Sequence, residues 1–260
     1  MSRMQIGARE VNFQLSGPED APVLILAHPL GASLNVWEQV SADLRDRLQI
    51  LAFDARGHGG SWKPQGPYSL DDLGGDLLRL LDALAIERAH FCGLSMGGLI
   101  GQWLLVHAPR KLNKLILANT AAHLPDAAAW DARIAAVAEA GVAALTPSIL
   151  PRWLSAPFRE AHPEVAAAIA AQLDGCDAGG YSGCCAALKD ADFREILPVA
   201  AQAAEKDILV VVGEAAGSTP PSMGEALAAA CGARVARLEA AHLSCVEDAP
   251  GFAALLRDFL

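Results

Sequence analysis

A serine flanked by glycines, Gly93-Leu94-Ser95-Met96-Gly97, directly follows the apolar run Ala89-His90-Phe91-Cys92 and directly precedes a helical stretch from Gly98 to His107. In G-x-S-x-G at a strand-to-helix turn, the serine backbone is strained, and only glycines two residues to either side leave room for it. Such a turn exposes the serine Oγ. It also sets the amide of Met96 at a helix N-terminus, facing the place where negative charge develops during attack on a carbonyl. This pattern suits nucleophilic acyl transfer, with Ser95 as the nucleophile.

A serine hydroxyl is a weak nucleophile and needs a base within hydrogen-bond reach. His242 is the candidate, because it follows the strand-like run Arg234 to Leu238 and precedes the last helix. That places it in a loop at the carboxyl edge of a sheet, where open α/β sheets build their sites, and the order serine then histidine fits that arrangement. A second oxyanion donor is expected from the loop after an earlier strand, His28-Pro29-Leu30-Gly31. Pro29 has no amide hydrogen, which leaves Leu30 as the natural donor. His28 either braces this loop or touches substrate.

These residues need a sheet to hold them. Val23 to Ala27, Ile50 to Phe53, Ala89 to Cys92, Leu115 to Ala118 and Ile208 to Val212 are apolar without alternation, as strands covered on both faces are. Between them lie helical patterns. Ser69 is a plausible N-cap with Asp72 at the third helical position, and Leu70, Leu73, Leu77, Leu80, Leu81 and Leu84 recur at helical spacing. Phe252, Leu255, Leu256 and Phe259 form another amphipathic stripe near the carboxyl end. The alternation predicts an α/β fold with a mostly parallel twisted sheet flanked by helices. From about 121 to 192 the chain turns Ala-rich, is cut by five prolines and shows no strand, which reads as a helical lid. The organisation expected is one domain over 1–260, with a core of 1–120 and 193–260.

Composition removes several function classes. The net charge is −10 across 260 residues, which argues against neutralising phosphates, so nucleic acid is not an expected partner. With 53% apolar and 19% charged residues the chain is globular, and no uninterrupted apolar run of spanning length exists, so no membrane partner is expected. The six cysteines show neither C-x-x-C nor framework spacing, which suits a reducing, cytoplasmic setting; adjacent Cys184 and Cys185 read as small core residues. The seven histidines lack metal-ligand spacing, so no metal is expected. Sequence alone leaves the oligomeric state open.

Gly-Leu-Ser-Met-Gly-Gly at 93–98, Asp54 through Ser61 as D-x-R-G-H-G-x-S, Asn119-Thr120-Ala121-Ala122 and Ala241-His242-Leu243-Ser244 resemble the α/β-hydrolase superfamily. More narrowly the chain resembles the 3-oxoadipate enol-lactonases of bacterial aromatic catabolism, over nearly its whole length, including Trp130-Asp131-Ala132-Arg133, Arg152-Trp153 and Gly180 through Cys185. The resemblance implies an α/β-hydrolase fold and a cofactor-free hydrolase of a small lactone or ester. In it Ser95 attacks the carbonyl, the amides of Leu30 and Met96 hold the oxyanion, and His242 shuttles the proton. The candidate substrate contacts are His28, His123, Trp130, Arg133 and Trp153. Arg133 and Arg152 are either partners for a substrate carboxylate or solvated surface.

The chain departs from the resembled pattern at three places. His28-Pro29-Leu30-Gly31 stands for N-S-L-G, and His123 stands for an arginine. After the strand ending at Val212, where G-x-x-D supplies the acid that orients the histidine, the chain reads Gly213-Glu214-Ala215-Ala216. Alanine at 216 leaves three readings of the acid: Glu214 folded back, a carboxylate from elsewhere such as Asp126, or none, with activity impaired. The alternatives to an enol-lactonase are a general carboxylesterase, a hydrolase tailoring a secondary metabolite, and a non-catalytic ligand-binding member of the fold.

Overall fold

The computed structural model describes residues 2–260. Among them one sheet contains β1 (Ser2–Ile6), β2 (Arg9–Ser16), β3 (Val23–Ala27), β4 (Gln49–Phe53), β5 (Ala89–Leu94), β6 (Leu112–Ala118), β7 (Ile208–Gly213) and β8 (Arg234–Leu238). Their spatial order is β1-β2-β4-β3-β5-β6-β7-β8. β2 pairs antiparallel with β1 and β4, and every later pairing is parallel. Burial explains the continuous apolar runs: every residue of β5 and of β7 is buried, since helices cover both faces.

The first two strands lie outside the sequence expectation. β2 carries Val11, Phe13 and Leu15 in strict alternation, but polar residues between them and an exposed Leu15 keep the run from reading as apolar. It is an edge-side, half-buried strand, so its period is two and its hydrophobicity low.

The helices are α1 (Glu38–Leu44), α2 (Leu70–Ala83), α3 (Met96–His107), α4 (Ala127–Ala140), α5 (Thr146–Trp153), α6 (Ala156–Ala161), α7 (Pro163–Asp174), α8 (Ala178–Lys189), α9 (Ile196–Ala204), α10 (Pro221–Cys231), α11 (Ser244–Glu247) and α12 (Ala249–Phe259). Ser69 caps α2 through the amide of Asp72, whose carboxylate returns to the Ser69 amide, a complete capping box. The α2 residues Leu73, Leu77, Leu80 and Leu81 face the core. No described helix is long and apolar enough to cross a membrane.

Helices α4 to α8 all fall between β6 and α9, in the stretch read as a helical insertion. Its two ends meet at an isolated bridge between His123 and Asp192 and at the Phe193 amide, which donates to the Ala122 carbonyl at 2.8 Å. The segment thus leaves and re-enters the sheet layer at one neck. Because β3 to β8 run parallel, the loops after β3, β4, β5, β6, β7 and β8 gather at one edge of the sheet, beneath these helices.

Asp54, just past β4, organises that edge. Its buried carboxylate accepts from the Leu34 amide at 2.7 Å, the Asn12 side-chain amide at 2.7 Å and the Gly60 amide at 2.8 Å. Asp54→Ala would leave two buried donors and one part-buried donor without an acceptor, a loss of roughly 3 kcal/mol of stability. Asp54→Asn, keeping one acceptor oxygen, should fall between that variant and the parent in urea denaturation. A midpoint for Asp54→Ala equal to the parent's would show that the network carries no stability.

Candidate active site

Ser95 adopts φ 56°, ψ −111°, a conformation L-residues rarely hold. The surroundings over-determine it. A Cβ on Gly93 would come within 2.1 Å of the Gly97 carbonyl oxygen, and one on Gly97 within 2.2 Å of the Ala27 carbonyl oxygen. The Ser95 amide donates to the Ala118 carbonyl at 2.9 Å, and the Thr120 hydroxyl donates to the Ser95 carbonyl at 2.9 Å. The elbow is therefore held by β3, β6 and the loop after β6. Leu94 and Met96 are buried while Ser95 itself is only half-buried, so its hydroxyl reaches open space.

That space is a cavity of about 100 Å³ which Ser95 shares with His242, Thr219, Pro29 and Leu30. Its opposite wall comes from the helical segment: Trp130 and Arg133 of α4, Arg152 and Trp153 of α5, and Tyr181 of α8. A larger open groove of about 1140 Å³ lies between α7 and the segment around Ser33 to Gln39, and it contains neither Ser95 nor His242. Leu30 lies in the loop after β3. The Met96 amide is in the first turn of α3, where amides have no intrahelical acceptor.

Three ties position His242. Asn119, just past β6, donates through its side-chain amide to the carbonyl oxygens of Ala241 and His242, and its Oδ1 accepts from the Gly213 amide at 2.8 Å. The Glu247 carboxylate accepts from the Ala241 amide at 3.1 Å and also from the amide and hydroxyl of Ser155. The Leu243 amide donates to the Trp153 carbonyl at 2.9 Å. The histidine loop is thereby fastened both to the sheet and to the helices over the cavity. Ser95 and His242 line the same cavity without a direct hydrogen bond among the described residues; such contacts are commonly long in unliganded sites and tighten when substrate binds.

The acid side of the site departs from the first of the readings left open by the sequence. Glu214 does not fold back: its carboxylate is exposed and pairs with Arg237 at 2.9 Å, because the Glu214 amide is held outward by the Leu238 carbonyl. Asp126 does not reach the site either, since its side chain caps α4 by accepting from the Ala129 amide. Nδ1 of His242 instead meets the hydroxyl of Thr219 at 3.1 Å, and both residues are buried. Among the described residues no acidic side chain lines the cavity. Burial, with the Arg152 charge adding, pushes the His242 imidazole down to about 3.

Two expected substrate contacts lie elsewhere. His28 is 1% exposed and does not line the cavity: its Nδ1–H donates to the Pro29 carbonyl at 2.8 Å and its Nε2 accepts from the Ala55 amide at 3.0 Å. It braces the loop that carries Leu30. His58 repeats the device, Nε2 accepting from the Gly31 amide at 2.8 Å, and burial pushes this imidazole down to about 3. His123 also misses the cavity; it bonds the Ala191 carbonyl at 2.9 Å and so closes the neck of the helical segment. Trp130, Arg133 and Trp153 do line the cavity, as does Arg152. Thr219 is not legible as a site residue, because a threonine before Pro220-Pro221 reads as a turn; Asn119 carries no sequence signal of its role beyond its place in Asn119-Thr120-Ala121-Ala122. Cys184 and Cys185 are buried in α8, and burial raises both thiols. The described residues contain no group of three His, Cys, Asp or Glu able to hold a metal.

A sheet of this order, with a serine on a positive-φ turn after its fifth strand, defines an α/β-hydrolase fold. A family model described as alpha/beta hydrolase fold matches residues 22–140. 3-Oxoadipate enol-lactonase 2 of Acinetobacter baylyi is 39% identical, over 93% of this chain and 90% of its own. 3-Oxoadipate enol-lactonase 1 of the same organism is 33% identical over 97% and 93%. The crystal structure of the enol-lactonase from Burkholderia xenovorans LB400 superimposes with a TM-score of 0.94 at 35% identity, covering 99% of each chain. The chain belongs to the α/β-hydrolase family and resembles, within it, the 3-oxoadipate enol-lactonases.

The buried imidazoles make a pH prediction. His58 and His242 have folded-state pKa values of about 3 against an ordinary 6.5, and His28 is shifted the same way. The unfolded chain therefore binds more protons below pH 6.5, so their contribution is fully present above that pH and is lost as pH falls toward 3. The slope is roughly 1.4 kcal/mol per pH unit for each histidine. Urea midpoints should decline from pH 6.5 to pH 5, and His58→Gln should flatten the decline. A midpoint constant across that window would contradict the assignment of neutral, buried rings.

Proposed function

We propose that this protein is a serine hydrolase that opens a small, carboxylate-bearing lactone or ester, of the enol-lactone type met in aromatic catabolism. The observation that carries this reading is a single small cavity that combines the strained Ser95, His242 and two guanidiniums, Arg133 and Arg152, which have no acidic partner among the described residues. Arg133 lies 5.0 Å over the Trp130 ring, and the like charge of Arg133 adds to burial in lowering Arg152. Two unneutralised cations facing one another in a small cavity favour an anionic occupant. The enol-lactonase relatives point to the same substrate class.

In the proposed reaction Ser95 Oγ bonds to the carbonyl carbon while its proton passes to Nε2 of His242. The amides of Leu30 and Met96 donate to the oxyanion. Collapse breaks the ring C–O bond, and His242 returns the proton to the leaving oxygen. For an enol-lactone that oxygen leaves as an enol and becomes a ketone, which makes its expulsion easier than that of an alkoxide. Water, deprotonated by His242, then cleaves the acyl-enzyme. The helices over the cavity act as a lid in this scheme, supplying the specificity-bearing wall, and no cofactor takes part. With Ala216 in place of a carboxylate, turnover is slow relative to a carboxylate-containing triad. The six free thiols fit a cytoplasmic setting.

A fluorophosphonate should label Ser95 stoichiometrically, and Ser95→Ala should abolish both labelling and turnover. Arg152→Gln should raise KM for a carboxylate-bearing lactone about ten- to hundredfold while leaving a neutral p-nitrophenyl ester unchanged, as loss of a charge-assisted hydrogen bond requires. A protein inert to the probe would be a ligand-binding member of the fold, and equal losses on both substrates would remove the anion from the proposal.

A further inference from the structure

We propose that the hydroxyl of Thr219 takes over the orienting role of the absent acid, so that His242 works in a serine–histidine–threonine arrangement. This rests on the hydrolase reading above and adds a positioning residue to it. Thr219 is 6% exposed and His242 2%, and the 3.1 Å contact is the hydrogen bond that satisfies a nitrogen otherwise buried without a partner. Thr219 and Ala216 belong to the same loop after β7, whose first residues are tied down: the Ala215 amide donates to the Ala240 carbonyl at 3.0 Å and the Ala216 amide to the Gly213 carbonyl at 3.0 Å.

A hydroxyl differs from a carboxylate in a way that shapes catalysis. A carboxylate only accepts, so it permits one tautomer, with hydrogen on Nδ1 and a free lone pair on Nε2 facing the serine. Threonine both donates and accepts. When it accepts from Nδ1–H, Nε2 is free to take the Ser95 proton; when it donates to Nδ1, hydrogen moves to Nε2 and the base is disabled. Threonine also adds no negative charge opposite the imidazolium that forms after proton transfer. The charged, phenolic and hydroxyl groups that line the cavity with this ring are Arg152 and Arg133 from α5 and α4, Tyr181 from α8, Ser95 from the elbow, and Ser218 and Thr219 from the β7 loop. None is acidic, and Glu247 sits behind the loop on the Ala241 amide. The arrangement gives a slow base that stays deprotonated far into acid, consistent with the burial of the ring.

The test compares full-length parent, Thr219→Val, Thr219→Ser, Ala216→Asp and the double variant Ala216→Asp with Thr219→Val, using p-nitrophenyl acetate and the fluorophosphonate. Thr219→Val should lower kcat about tenfold or more at unchanged KM, and Thr219→Ser should retain most of it. Ala216→Asp should raise kcat by orders of magnitude and move the acid limb of kcat/KM up toward the ordinary imidazole value, about 6.5. In that background Thr219→Val should cost little. Histidine ¹⁵N spectra of the parent, which need no variant to fold, should show His242 exchanging between tautomers, with Nδ1–H alone in Ala216→Asp. A parent ring held solely as Nε2–H, or a folded Thr219→Val with parental kcat, would overturn the role of Thr219 while leaving the hydrolase reading intact. Failure of every form, Ala216→Asp included, to label or turn over would instead remove the hydrolase reading.

Discussion

The geometry of the site depends on a steric constraint at the end of β5. Two carbonyl oxygens, of Gly97 and Ala27, occupy the positions that side chains at 93 and 97 would need, so the chain can turn there only with glycine at both. The turn leaves Ser95 at φ 56° with its hydroxyl at the sheet edge and the amides of the first α3 turn beside it. Strain at that residue is held by two hydrogen bonds to the end of β6 and the loop beyond it: the Ser95 amide donates to the Ala118 carbonyl, and the Thr120 hydroxyl donates to the Ser95 carbonyl. Parallel strands then do the rest: they bring the loops after β3, β6, β7 and β8 to the same edge, and each delivers one component.

Electrostatically the site is built from neutral rings and unopposed cations. His28 and His58 each accept an amide hydrogen, from Ala55 and Gly31, so both hold the loop after β3 only while uncharged. Their two rings lie 5.1 Å apart, and a charge on one disfavours a charge on the other. Across the cavity, Arg133 and Arg152 carry the only formal charges that line it among the described residues. On the proposed reading, a substrate carboxylate answers those cations, and the negative charge developing at the carbonyl oxygen meets amides rather than acids. The histidine itself sits between these regions, facing a hydroxyl on one side and the serine's cavity on the other.

Much of this organisation was legible because its causes are local. The apolar runs of β3 to β7 announce strands buried on both faces, the Ser69–Asp72 box marks where α2 begins, and Gly-x-Ser-x-Gly in its strand-to-helix context marks the elbow. β1 and β2 were not legible, since a half-exposed strand at the sheet's antiparallel edge mixes polar residues into a short period-two pattern. His28 and His123 misled for a related reason. A histidine in a loop near the site has the same sequence signature whether it faces substrate or completes the backbone's hydrogen bonding, and both of these serve the backbone.

Sequence by itself determined the elbow, the α/β alternation and the loop position of His242, because each follows from backbone sterics, periodicity or residue type within a few positions; that Ala216 stands where an acid is expected followed only from the resemblance to the enol-lactonases. Tertiary structure alone decided what meets the far nitrogen of His242. Glu214 is two residues from Ala216 and carries the right chemistry, yet the pairing of its amide with β8 turns it outward to Arg237, while Thr219 is carried inward by the same loop. The partners of a buried ring are set by how loops distant in sequence fold over one another, and no spacing along the chain encodes that.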